Sequence, residues 1–220
     1  MDRFLGVSRV FVWMEDGDCT SAVVACFLFS LSFYTVAGAT IGPRIQPERV
    51  QTLVEKAGVK WLLLIFGINA ARALLTVGGL LVLAFVIHQL FESARTGIGY
   101  RRILRVCAYA ACLREAARLT ITLGIVGLYG LMHWPLPLTA NLTMKASALL
   151  NEHSCPRLLY ELAKSLDPLA LGFLLLVAIG LSKVVARLRP MRAAMFVLFA
   201  WLILVGVAAW GGHDSSHLFG

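Results

Sequence analysis

The stretch from Ser165 to Pro190, "SLDPLALGFLLLVAIGLSKVVARLRP", decides the fold. It opens on Asp167 and Pro168, a pair suited to a helix start: the carboxylate can accept an orphan backbone N–H, and proline is tolerated at the first helical position, where its missing donor costs nothing. From Pro168 to Leu188 run 21 residues, apolar as far as Lys183. As a helix this is about 31 Å long, matched to a hydrocarbon core of about 30 Å. Lys183, Arg187 and Arg189 then form a basic anchor, and Pro190 closes the segment. The reading is a membrane span with a capped entry and a charged exit.

The rest of the chain belongs to the same class. Of its 220 residues 59% are hydrophobic, and the mean hydropathy is +0.80, well above the usage of soluble domains. The formal charge is +8 from 20 basic and 12 acidic residues. Most of the basic residues cluster between apolar runs, where they set topology and meet anionic lipid head groups, so nucleic acid is not the expected partner. Cys19, Cys26, Cys107, Cys112 and Cys155 form no CxxC pair. They read as small buried hydrophobes rather than a disulfide framework or a metal site.

Working outward, residues 1–18 read as an interfacial segment. Phe4, Val7, Phe11 and Met14 share one helical face opposite Arg3 and Arg9. Residues 19–211 form one membrane domain, with spans at about 20–39, 71–90, 103–131, 168–188 and 193–210, and 212–220 is a short polar tail. Pro43 and Pro47 are expected to break the chain after span one. Span two then has an amphipathic beginning from Val50 to Val59 and leaves the interface near Asn69 and Arg72. A long polar loop is expected from His133 to Leu166. The fold class is an all-α bundle of about five transmembrane helices with an N-terminal interfacial amphipathic helix. The loops after spans two and four each carry four basic residues, Arg95, Arg101, Arg102 and Arg105, then Lys183, Arg187, Arg189 and Arg192. By the positive-inside rule both are cytoplasmic, which puts the N-terminus inside and the C-terminus outside.

Span three carries Arg114, Glu115 and Arg118 well inside an apolar run. A centred arginine costs at least about 2.5 kcal/mol on insertion scales, so these residues need partners or a wet path. Glu115 and Arg118, three apart, are expected to pair, leaving Arg114 as the residual charge. Two readings stay open. One is an internal polar site, with Arg72, for an anionic ligand such as a lipid head group. In the other, residues 101–118 form an oblique interfacial helix that keeps the charges at the head groups. His88 could ligate haem or a pigment through a neutral imidazole, although the other four histidines fall in loops or at chain ends. No HExxH or GxxxxGK[ST] motif occurs, and no Ser-His-Asp order is compelling. Gly172, Ala178, Gly180 and Ser182 in span four and Gly206 in span five permit close helix contact with each other or with a partner.

Three stretches in order resemble the YIP (Ypt/Rab-interacting protein) domain family, particularly its short bacterial members. These are "RFLGVSRVFVWMED" (Arg3 to Asp16), "IHQLFESARTGIGYRRILRVCAYAAC" (Ile87 to Cys112) and "LYELAKSLDPLALGFLLLVAIGLSKV" (Leu159 to Val184). The chain departs from the family pattern in lacking a proline at about Ser8, and in having "CLREAAR" (Cys112 to Arg118) where members commonly carry a small-residue Leu-Pro step. The resemblance implies a five-span membrane domain. Eukaryotic members contact small GTPases through an extended cytosolic N-terminal region; with span one beginning near residue 20, that contact is not carried over. The expected function is a non-enzymatic accessory or scaffold subunit of a larger membrane complex in a bacterial inner membrane, with membrane-protein partners and bound anionic lipid. The alternatives are a transporter or lipid-handling protein using the polar site, and a haem- or pigment-bearing subunit using His88.

Overall fold

The spacing of prolines and charges divides the chain into long apolar segments that satisfy their own backbone hydrogen bonds only as helices. The computed structural model describes residues 18–45, 59–94, 97–131, 156–185 and 188–210. Every element among them is helical: α1 Cys19–Ile45, α2 Val59–Ser93, α3 Tyr100–Leu131, α4 Arg157–Ser165, α5 Pro168–Val184 and α6 Pro190–Trp210. Three of these are long and apolar enough to cross a membrane, over Cys19–Ala37, Leu63–Ser93 and Pro190–Trp210. The chain is thus an all-α protein compatible with multiple membrane passes. The segment 1–17, the amphipathic lead-in to α2 and the polar tail lie outside the described residues.

α3 is the axis of the bundle. It packs against α1, α2 and α5, while α6 packs against α2, α5 and α4. α1 and α3 run the same way: Asp18, just before α1, lies in electrostatic reach of Arg105, and Phe33, four turns along α1, meets Arg118. α2 packs against α3, and in the connection between them Gly97 adopts φ +66°, a left-handed conformation that glycine takes without steric cost. The Tyr100 hydroxyl at the start of α3 donates to the Leu81 carbonyl within α2 at 3.4 Å. The apolar core joins Leu83, Ile87 and Phe91 of α2, Ile103, Val106 and Cys107 of α3, Val177 and Leu181 of α5, and Val197 and Trp201 of α6. Phe91 and Phe196 pack with ring centroids 4.8 Å apart and planes tilted by 40°.

Several boundaries differ from those expected from the sequence. α1 continues through Pro43 to Ile45: so near a helix end, proline forfeits one backbone bond without breaking the helix behind it. α5 stops at Val184 after 17 residues, with Val185 already extended at φ −98°, ψ 104°. The reason is local, because β-branched Val184 and Val185 are weak helix formers and Pro190 excludes Arg189 from helical conformation. α6 accordingly begins at Pro190, three residues earlier than expected, with the Ala193 amide donating to the Arg189 carbonyl at 3.1 Å. Lastly, α4 occupies part of the expected loop from His133 to Leu166. Leu159, Leu162, Ala163 and Leu166 follow a helical spacing; Leu162 and Leu166 pack on the core while Leu159 stays half exposed.

The lengths are unequal. α2 has 35 residues, about 52 Å, whereas the 17 residues of α5 reach about 25 Å. The entry to α5 is as the Asp167-Pro168 pair predicts: Asp167 is extended, its carboxylate accepts the Ala170 amide at 2.5 Å, and Pro168 takes the first helical position. α1 has an equivalent device that the sequence reading passed over. Asp18 accepts from the amides of Thr20 and Ser21 at 3.3 and 3.0 Å and from the Ser21 hydroxyl at 2.8 Å. These bonds hold its carboxyl below its ordinary pKa of 3.8.

Candidate functional site: a charged centre on the third helix

Arg114 stands near the middle of α3, 14 residues after Tyr100, or about 21 Å along the axis. It is 7% exposed and its neighbour Glu115 is 0% exposed. Both are enclosed by other helices of the bundle. The expected pairing is reordered. The Arg114 guanidinium donates from Nε at 2.9 Å and from Nη2 at 2.6 Å to Glu115 Oε1, while Arg118 Nη1 stands 3.9 Å from Oε2. Arginine reaches its sequence neighbour because both side chains turn into the same crevice between α1 and α5. Glu115 therefore binds Arg114 tightly and Arg118 at arm's length.

Aromatic rings complete the site, and the sequence reading assigned none of them. The Arg114 guanidinium lies 5.1 Å from the centroid of Phe173 on α5, and Arg118 lies 4.0 Å from Phe33 on α1. Each cation meets the electron-rich face of a ring in a desolvated setting, where such a contact contributes up to about 2 kcal/mol. Tyr34 ties in a third cation: its ring is 5.9 Å from Arg118 and 6.0 Å from Arg72 of α2, and its hydroxyl is 3.4 Å from Thr76 Oγ1. Arg72 is exposed, so it flanks the buried group rather than joining it. The three charges of α3 thus clamp it to α1 and α5, with α2 alongside.

One net positive charge remains in the group of Arg114, Glu115 and Arg118. Glu115 Oε2, Arg118 Nε and, nearby on α2, Asn69 Nδ2 are buried without a hydrogen-bond partner among the described residues. No group of three or more His, Cys, Asp or Glu side chains able to hold a metal occurs among the described residues.

His88 is not part of this centre. It lies 16 residues beyond Arg72 on α2, about 24 Å along the axis. Its Nε2 is 3.9 Å from Glu92 Oε1, and its ring is 5.8 Å from that of Tyr100. Cys26 and Cys107 are fully buried, Cys19 and Cys112 partly so, and all four are free thiols; Cys155 lies outside the described residues. Of the small residues, Ala178 and Gly180 lie on the buried face of α5. The Ser182 hydroxyl bonds back to the Ile179 carbonyl at 2.7 Å. A Cβ added at Gly172 or Gly206 would meet nothing within 4 Å, so neither glycine marks a close helix approach among the described residues.

Comparison with protein-family models, curated proteins and solved structures yields no match.

Proposed function

We propose that this chain is a non-enzymatic integral membrane subunit of five spans that serves as an accessory or scaffold in a larger membrane complex, in the manner the YIP-domain resemblance implies. In this reading α3 and the shorter α5 cross alongside the three helices that are long and apolar enough to span. The basic connectors after α2 and α5 face the cytoplasm of a bacterial inner membrane, with the N-terminus inside and the C-terminus outside. One observation supports it above the others: the buried charges of α3 are engaged by the chain's own groups, Arg114 by Glu115 and Phe173, Arg118 by Phe33. A centre occupied in this way orders a bundle; it does not hold a reactive group ready. The test is extraction in a mild detergent followed by native gel electrophoresis and mass spectrometry of the band. Migration as a defined larger assembly with constant stoichiometry is the expected outcome, and recovery of this chain alone would refute the proposal.

A second reading, a lipid-handling or transport protein, draws on the unsatisfied Glu115 Oε2 and Arg118 Nε. Under that reading, replacing Arg114 and Arg118 by leucine abolishes binding of an anionic ligand while insertion persists; unchanged binding would dispose of it.

A further inference from the structure

A groove of about 710 Å³ runs between the C-terminal end of α2 and the N-terminal half of α6, well away from the charged centre on α3. Leu90 and Ala94 form one wall, Met195, Phe199 and Leu202 the other, and among the described residues Arg192 is the only charged one that lines it. Arg192, Met195, Phe199 and Leu202 recur at helical spacing, so they form one stripe with the cation at its end. Met195 and Phe199 are 63% and 55% exposed, so the stripe is open along its length. From Arg192 to Leu202 is ten residues, about 15 Å, which is the depth of one leaflet of a hydrocarbon core of about 30 Å. Exposed Arg189 stands beside the same end, in the connector before α6. A second groove, of about 520 Å³ between Leu74, Leu75, Val82 and Leu204, has no charged residue in its lining among the described residues.

We propose that the Arg192 groove is a binding site for one anionic glycerophospholipid. The phosphate and its anionic head group lie against the Arg192 guanidinium, which offers a planar fork of donors matched to phosphate oxygens. An acyl chain lies along Met195, Phe199 and Leu202, with Leu90 and Ala94 opposite. Charge complementarity selects this occupant: a cation at the end of an apolar trough one leaflet deep matches an amphiphile with a negative head. The site is the same whichever face of the membrane is cytoplasmic, and it does not depend on the scaffold reading.

The test is native mass spectrometry of the purified full chain, exchanged into detergent with equal amounts of dioleoyl phosphatidylglycerol and dioleoyl phosphatidylcholine. One bound phosphatidylglycerol is expected, preferred about fivefold, as follows from roughly 1 kcal/mol for one arginine near a lipid surface. R192K should retain most of the preference and R192L should bring it close to parity. A94F, which narrows the trough beside Arg192, should lower retention of both lipids. Equal occupancy by the two lipids in the unaltered chain overturns the proposal, as does a phosphatidylglycerol preference that survives R192L. So does a homodimer that excludes lipid and is abolished by A94F, since a second copy would then be the occupant.

Discussion

Replacing Glu115 by leucine removes the only carboxylate from a group that also holds two arginines. In the native bundle its side chain is fully buried and meets Arg114 at 2.6 Å and Arg118 at 3.9 Å. The variant raises the local net charge by one and strands an arginine in a desolvated crevice. Two independent magnitudes converge: removing one partner of a buried pair costs about 3–5 kcal/mol, and an uncompensated arginine at a helix centre costs about 2.5–3.5 kcal/mol on insertion scales. We expect E115L to lose about 3 kcal/mol. R114M should cost less, because it leaves one arginine and one glutamate, and Arg118 needs only a rotamer change to close its gap. The double variant R114M/E115L restores the native net charge and should regain about 1.5 kcal/mol or more of the summed single losses, within the range of coupling energies for contacting residues. The assay is reversible unfolding in mixed micelles, followed by circular dichroism, for all four members of the cycle. Destabilisation by E115L of less than about 1 kcal/mol, or strict additivity in the double variant, would refute the buried-pair reasoning.

The aromatic clamps give a second prediction. F33L should destabilise by about 1–3 kcal/mol through lost packing and the lost ring beneath Arg118, and a cycle with R118M should show a coupling of at least about 0.5 kcal/mol. For the α5 cap, D167A should cost about 1 kcal/mol in the same unfolding assay while D167N costs a few tenths, since both Asn and Asp accept the amide; equal losses in the two variants would contradict the capping role. Asp18 predicts a pH effect on the first turn of α1. Its folded pKa lies below 3.8 because of its bonds to Ser21 and Thr20. The stabilisation is therefore fully present above pH 3.8 and disappears as pH falls through the lower folded value. Protection of the Thr20 and Ser21 amides, taken relative to their intrinsic exchange rates, should fall over that interval in the native chain, and D18N should flatten the profile.

The membrane class, the all-α fold and the entry of α5 were legible in the residues from the start. Each depends on information local to the chain: apolar length, and a carboxylate placed one residue before a proline. Helix ends were less legible where opposing tendencies were close in energy. Pro43 suggested a break that the helix tolerates in its last turn, and the valines at 184 and 185 ended α5 before the proline expected to close it. α4 escaped notice because nine residues between prolines and polar loops carry too little periodicity to stand out, although Leu159, Leu162, Ala163 and Leu166 held the signal. Asp18 could have been found as a cap from its position ahead of Thr20 and Ser21 and a long apolar run.

The charged centre divides along the same line. Arg114, Glu115 and Arg118 stand out in the sequence, because ionisable residues inside an apolar run are costly wherever they lie. Their order of pairing does not. Spacing favours Glu115 with Arg118 on an isolated helix, and the packed structure gives the tighter contact to Arg114 because α1 and α5 close around both side chains. Phe33, Tyr34 and Phe173, on two other helices, carry no mark in the sequence as partners for cations. By itself the sequence determined which segments must be helices and which residues could not lie in lipid without compensation, since apolar length and charge are properties of each segment. Only the tertiary structure decided what compensates them, because a cation–ring contact or a groove ending in Arg192 exists only once separate helices are brought side by side.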